Sequence, residues 1–396
     1  MNTTVSAERV HIAFFGRRNA GKSSVVNAVT NQRISVVSDT LGTTTDPVQK
    51  AMELLPLGPV VIIDTPGFDD EGALGELRVE RTREVLRKTD IAVLVVDGAA
   101  GLTDADNALI AEFKERRLPY LVAFNKVDLI QEKPAPRDSG IYLSALTGEG
   151  IEELKARLGD LVQQENQEKR IVADLVREGD TVILVIPIDA AAPKGRIILP
   201  QQQTLRELLD YHCSVICCQP EELSATVAGL HKKPALVITD SQAFDRVSRD
   251  TPDDIPMTSF SVLFARYKGS LDGLIRGADT LAQLRDGDKV LISEGCTHRR
   301  QCGDIGTVKL PAWIKAYCGA EPEFSFTSGG SFPAKLSDYR LVVHCGGCML
   351  NEKEMQYRQQ AAKAADVPMV NYGIAIAKMN GILDRALKPL LKKDER

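Results

Sequence analysis

No run of apolar residues in this 396-residue chain approaches the ~18 that a membrane helix requires, and the opening stretch, MNTTVSAERV, has no apolar core of the kind a signal peptide needs. Both absences predict a cytoplasmic protein that meets no membrane. Positive charge is not in excess either: a net charge of −5 leaves no electrostatic footprint for nucleic acid. A basic GXXG or RNP-like module, which would bind RNA in spite of that balance, is missing too. There is no low-complexity tract and no repeat at the roughly 20–50-residue periods of solenoids and propellers. In a reducing compartment the eight cysteines are thiols or metal ligands, not disulfides. What remains is ordinary globular composition, 43% hydrophobic and 26% charged, in a chain long enough for two or three domains.

The first 165 residues carry nucleotide chemistry. His11–Phe15 reads as a strand, and Gly16-Arg-Arg-Asn-Ala-Gly21-Lys22-Ser23-Ser24 follows it and opens a helix. That is a P-loop in its required strand–loop–helix setting. The backbone around Asn19, Ala20, Gly21 and Ser24 cradles phosphates, Lys22 neutralises them, and the Ser23 hydroxyl ligates Mg²⁺. Further elements follow in the expected order. Thr44, in Gly42-Thr-Thr-Thr-Asp46, is the switch residue that senses Mg²⁺ and the γ-phosphate. A strand over Val60–Ile63 delivers Asp64-Thr-Pro-Gly67, whose carboxylate reaches Mg²⁺ through water and whose Gly67 amide meets the γ-phosphate. After the strand Tyr120–Phe124, Asn125-Lys126-Val-Asp128 presents a carboxylate that pairs with both donors on the guanine edge, and Ser144-Ala145-Leu146 backs the base. The predicted ligands are therefore GTP or GDP with Mg²⁺. These motifs resemble the Era/TrmE-like GTPases. That likeness implies a K⁺-holding role for Asn19, whose other reading is a turn residue tolerant of unusual backbone angles. Phe68 stands where Ras-like enzymes orient water with glutamine, which predicts slow hydrolysis.

A polar run over Gln163–Arg170 reads as a linker. Beyond it, strands and amphipathic helices alternate: Thr181–Ile188, Leu205–Tyr211, Ser214–Cys218, Glu221–Leu230, Ala235–Thr239, Gln242–Val247 and Ser259–Phe264, the last as a strand. Such alternation predicts βα units around a mostly parallel sheet. Cys213, Cys217 and Cys218 read as small core residues, and Lys194-Gly195-Arg196 as a solvated loop. A domain with a core and no site suggests self-association.

Past residue 269 two strands, Lys289–Ser293 and Tyr339–Val343, each end just before a Cys/His cluster: Cys296-Thr-His298 and His344-Cys345-Gly-Gly-Cys348. Strand C-termini are where open α/β sheets bind ligands. Leu350–Ala365 is rich in helix formers, so the second cluster is expected to open a helix, with Gly346 and Gly347 aiming N–H groups at sulfur. Gly277–Leu284 and Trp313–Tyr317 read as helices, Glu323–Thr327 and Pro368–Asn371 as strands, and the rest as one basic amphipathic helix to the end. Three cysteines with histidines suit a [4Fe–4S] cluster; structural zinc and a metal-free Cys/His core are the alternatives.

An Era/TrmE-like GTPase followed by C-x-H…H-C-x-x-C resembles the maturation GTPases of [FeFe]-hydrogenase, the HydF family. The resemblance implies an α/β chain of three domains: a P-loop GTPase fold over 1–165, then two smaller α/β domains with mostly parallel sheets, a dimerising one over 166–268 and a cluster-binding one over 269–396. It implies a [4Fe–4S] cluster on Cys296, Cys345 and Cys348, with His298 and His344 as ligands or pocket residues. It further implies a homodimer that receives a transient diiron precursor with two radical-SAM enzymes and delivers it to apo-[FeFe]-hydrogenase. Cys302 is a nearby extra thiol. The competing readings are a ribosome- or RNA-associated GTPase with a zinc domain and a GTP-dependent metal-insertion chaperone for another enzyme.

Overall fold

Runs such as IAFF and VVII are apolar at every position, so both faces of the strands they form must be covered. The computed structural model, which describes residues 9–32, 48–67, 82–130, 140–166, 169–188, 197–295, 304–329, 331–333, 335–347 and 350–391, bears this out. The chain divides into two compact units, residues 1–168 and 169–396.

Among the described residues of the first unit six strands are formed: β1 (Val10–Gly16), β2 (Val48–Leu54), β3 (Gly58–Asp64), β4 (Ile91–Asp97), β5 (Tyr120–Asn125) and β6 (Gly140–Tyr142). They lie in the order β2-β3-β1-β4-β5-β6, parallel except for the antiparallel β2–β3 pair. Alternation along β1 sends Ile12 and Phe14 into one core and Ala13 and Phe15 into another on the opposite face. Helices Lys22–Thr30 and Ile151–Asn166 cover one side, and Asp104–Glu115 the other. The last turn of Ile151–Asn166 occupies what the sequence suggests is linker, because its apolar positions earlier in the helix, Leu154 and Leu158, are buried and carry the turns beyond them.

The second unit holds two four-stranded sheets, every pair parallel. The first contains β7 (Thr181–Val185), β8 (Ser214–Cys218), β9 (Leu236–Thr239) and β10 (Met257–Ser259), in the order β10-β9-β7-β8. The second contains β11 (Lys289–Ser293), β12 (Glu323–Thr327), β13 (Leu341–His344) and β14 (Met369–Asn371), in the order β12-β11-β13-β14. One continuous hydrophobic core, from Ile171 to Leu390, joins the two sheets. Among the described residues no helix is long and apolar enough to cross a membrane.

Four local expectations are corrected. Ser259–Phe264 is not a strand: β10 ends at Ser259, whose hydroxyl caps a helix, Phe260–Lys268, by accepting from Val262 N–H at 3.2 Å. Cys217 is exposed, because β8 is an edge strand, whereas Cys213 and Cys218 are buried. The C-terminal helix is two helices, Tyr372–Met379 and Leu383–Leu391, separated at Gly381, where φ is +70°. Finally, the helix after the second cysteine cluster starts at Glu352, with Asn351 accepting from Glu354 N–H at 3.2 Å as its cap, so the cluster precedes the helix and does not open it. Lys194-Gly195-Arg196 lies outside the described residues.

Candidate functional site

The P-loop lies between β1 and the helix Lys22–Thr30. Asn19 is exposed at φ +60°, the left-handed geometry that asparagine tolerates, and Gly21 turns the chain into the helix at φ +84°. No side chain fits at Gly21, since a Cβ there would stand 2.2 Å from the Asn125 amide nitrogen. Asp64, at the end of β3, is buried beside the loop: it accepts from the Ser23 hydroxyl at 2.8 Å, and Lys22 Nζ stands 3.6 Å from its Oδ1. That Oδ1 makes no hydrogen bond among the described residues, as suits a carboxylate held for a hydrated cation. Gly67 follows in the next loop; Thr44, Phe68 and the rest of their segments lie outside the described residues.

The base-recognition loops are tied together by side chains. Asn125, at the end of β5, donates to Ala20 C=O at 3.0 Å and accepts from Ala145 N–H at 3.0 Å, so one amide spans the P-loop and the 144–146 loop. Ser144 donates to Asp128 Oδ1 at 2.5 Å and aims the carboxylate. Lys126, at φ +67°, pairs with Asp97 at 2.7 Å. Partial burial of Asp97 opposes its ionisation, but the hydrogen bonds from Lys126 and the Ala99 and Ala100 amides outweigh it and hold the carboxyl below its ordinary range. Leu146 is exposed. Asp97 has no motif around it and was legible only as a strand-end carboxylate.

The second site forms where β11 and β13 end side by side, Ser293 opposite His344. Cys345 N–H donates to Ser293 C=O at 2.9 Å. Cys345 Sγ accepts from two backbone amides, Gly295 at 3.0 Å and Gly347 at 3.4 Å. The Gly347 contact is the expected one. The Gly295 contact carries no signal in residue type; it ties Cys345 to the residue that precedes Cys296 in the sequence. Cys296, His298, Cys302 and Cys348 themselves lie outside the described residues.

Both ring nitrogens of His344 are engaged. The ring is fully buried; Nε2 meets Arg358 Nη1 at 3.0 Å and Nδ1 meets Cys345 C=O at 2.6 Å. A guanidinium can only donate, so Nε2 accepts, Nδ1 carries the hydrogen, and the ring is neutral. Burial, reinforced by the Arg358 charge, pushes its pKa down to about 3. Around this pair lie groups the sequence did not single out. Arg358 binds Glu354 Oε1 at 2.8 Å, and Tyr372 O–H reaches Glu294 at 3.5 Å. Burial pushes the Tyr372 phenol up, and Cys345, Glu294 and Asp304 nearby add to it. Among the described residues no group of three or more ligating side chains converges, but the two N–H···S contacts to Cys345 at a strand C-terminus suit a sulfur that ligates iron.

Comparison with known proteins finds three family matches. Residues 11–126 match the family described as 50S ribosome-binding GTPase, residues 171–269 the Hydrogen maturase F dimerization domain, and residues 272–389 the Hydrogen maturase F tetramerization domain. The tRNA modification GTPase MnmE of Nitrosomonas europaea is 36% identical over 156 residues, which is 38% of this chain and 34% of that protein. MnmE of Laribacter hongkongensis is 32% identical over 180 residues, 44% of this chain and 40% of that protein. The chain thus spans well under half the length of these curated relatives. Among solved structures, a probable GTP-binding protein engB aligns with 39% of this chain and 100% of its own, at 25% identity and a TM-score of 0.33. An Era from Aquifex aeolicus bound to GDP and aluminium fluoride aligns with 81% and 92%, at 16% identity and a TM-score of 0.35.

Proposed function

Because the chain belongs to the HydF-type hydrogenase maturation GTPases, we propose that it is a GTP-driven scaffold and carrier, which accepts a diiron precursor built with two radical-SAM enzymes and delivers it to apo-[FeFe]-hydrogenase. The GTPase domain hydrolyses GTP. In this reading Lys22 and the P-loop amides hold the phosphates, Ser23 and Thr44 hold Mg²⁺ with Asp64 behind them, and Asp128 selects guanine. Asn19 serves K⁺.

Cys296, Cys345 and Cys348 hold a [4Fe–4S] cluster, which when bound supplies an iron position that a carried precursor can occupy and leave. The observation that supports this reading is the 3.0 Å contact from Gly295 N–H to Cys345 Sγ, which ties the backbone just before Cys296 to the Cys345 thiol. His344 acts as a wall of the pocket and not as a ligand, since both its nitrogens are committed. The segments over 171–269 and 272–389 make the homodimer and its higher assembly, in keeping with the names of the families they match, and the protein works in the cytoplasm. A ribosome- or RNA-directed role draws support only from relatives of the GTPase unit.

Anaerobic reconstitution with iron and sulfide, followed by incubation with apo-hydrogenase, tests the proposal. Brown protein that activates the hydrogenase after loading is expected, with Cys345→Ser losing most of the iron. A colourless protein that retains zinc through purification would overturn it.

A further inference from the structure

Arg358 is the largest completely buried side chain of the described residues, and it sits below the site from the helix Glu352–Ala364. Its guanidinium reaches the ends of three neighbouring strands. Nη1 donates to His344 Nε2 at the end of β13 (3.0 Å) and lies 3.4 Å from the Ser293 hydroxyl at the end of β11; Nη2 donates to Gly329 C=O just beyond β12 (2.9 Å). Phe332 stacks on the guanidinium at 5.1 Å, and Glu354 anchors its Nε. A planar fork with fixed donors can hold three partners in register in a way a flexible ammonium cannot.

A second buried cation reaches the backbone on either side of Cys348 and Met349. Lys268, 6% exposed, ends the helix Phe260–Lys268 that follows the first sheet. Its Nζ donates to Gly347 C=O at 3.0 Å and to Leu350 C=O at 2.9 Å, the two carbonyls that flank Cys348 and its neighbour in sequence. Carbonyl oxygens turned towards a thiolate-bound centre would repel it. Lys268 draws these two to itself and brings a positive charge close to the loop.

With the iron–sulfur reading as its premise, we propose that Arg358 and Lys268 are the positioning residues of the cluster site: Arg358 holds together the strand ends that precede Cys296 and Cys345, and Lys268 holds the Gly347 and Leu350 carbonyls and supplies charge that favours the reduced cluster. The ligand class they serve is an anionic, thiolate-held metal centre. Because Lys268 belongs to the segment matched by the dimerization family, it also couples that segment to the cluster loop.

The test uses the reconstituted full chain, with iron loss to a chelator and an EPR-monitored redox titration as readouts. Lys268→Met and Arg358→Met should lose iron to the chelator roughly tenfold more readily or more, the scale on which supporting groups around a metal site change its affinity, and should titrate at a more negative midpoint. Lys268→Arg should largely restore both. Arg358→Lys, which keeps the charge and loses the fork, should keep the midpoint while releasing iron faster. If Arg358→Met does not fold, the two lysine-site variants and Arg358→Lys decide the matter. Wild-type behaviour of Lys268→Met and Arg358→Lys in both readouts would overturn the proposal while leaving the cluster intact. A wild-type protein that takes up no iron removes the cluster reading itself.

Discussion

Asn125 carries two hydrogen bonds of its single amide in opposite directions, one to the P-loop and one to the loop behind the base. Replacing it with alanine leaves the buried Ala20 C=O and the partly buried Ala145 N–H without those partners, a loss of about 1–3 kcal/mol for the buried carbonyl and less for the amide that water reaches. Asn125→Ala should therefore weaken GDP binding by roughly tenfold or more, measured by titration with a fluorescent analogue. Unchanged GDP affinity would show that the bridge is incidental. Asn19 is a different kind of residue. Its left-handed backbone suits the turn reading as well as a K⁺ role, so the cation decides: exchange of K⁺ for Na⁺ should slow GTP turnover, and equal rates in the two salts would return Asn19 to the turn.

Elements were legible where one period dominated and illegible where a cap decided. The buried strands β1, β3, β5, β11 and β13 announce themselves as apolar runs, and the nucleotide loops as spaced motifs. Phe260–Phe264 has the apolar content of a strand, but it forms a helix that the Ser259 hydroxyl caps at Val262 N–H. Ser259→Ala should accordingly cost about 1 kcal/mol, the usual worth of an N-cap, read as a lower urea midpoint with an unchanged slope. The helix Glu352–Ala364 misleads in the opposite sense. Glu354 and Arg358, four residues apart, have the spacing of a solvated surface pair, yet both are buried and face the cysteine site. Sequence spacing cannot tell a surface pair from a buried one, because the difference lies in what β11, β12 and β13 place opposite. Gly295 was equally silent: its role is a backbone N–H, which no residue type advertises.

At the scale of the molecule, nucleotide and cysteine chemistry belong to separate compact units. Lys22→Ala should abolish GTP hydrolysis and leave reconstituted iron content unchanged; parallel loss of both would mean that the units depend on one another for folding. The second unit behaves differently, because its two sheets share one core. Helix Phe260–Lys268 buries Val262, Leu263 and Phe264, and helix Tyr372–Met379 buries Ile374, Ala375 and Ala377, in that same core. Asn371 donates to Ser261 C=O at 3.3 Å and Arg385 to the carbonyls of Ser248 and Thr251 at 2.6 and 2.7 Å, further ties between the two segments. Cutting the chain after Gly269 would strand these surfaces, and each large apolar side chain returned to water costs about 1.5–3 kcal/mol, comparable in sum to the whole stability of a small domain. A fragment ending at Gly269 should therefore bind a hydrophobic dye and aggregate, whereas a fragment spanning residues 169–391 should remain folded and self-associate, as read by sedimentation at tens of micromolar. A well-folded dimer of the shorter fragment would show that the first sheet needs nothing from the second.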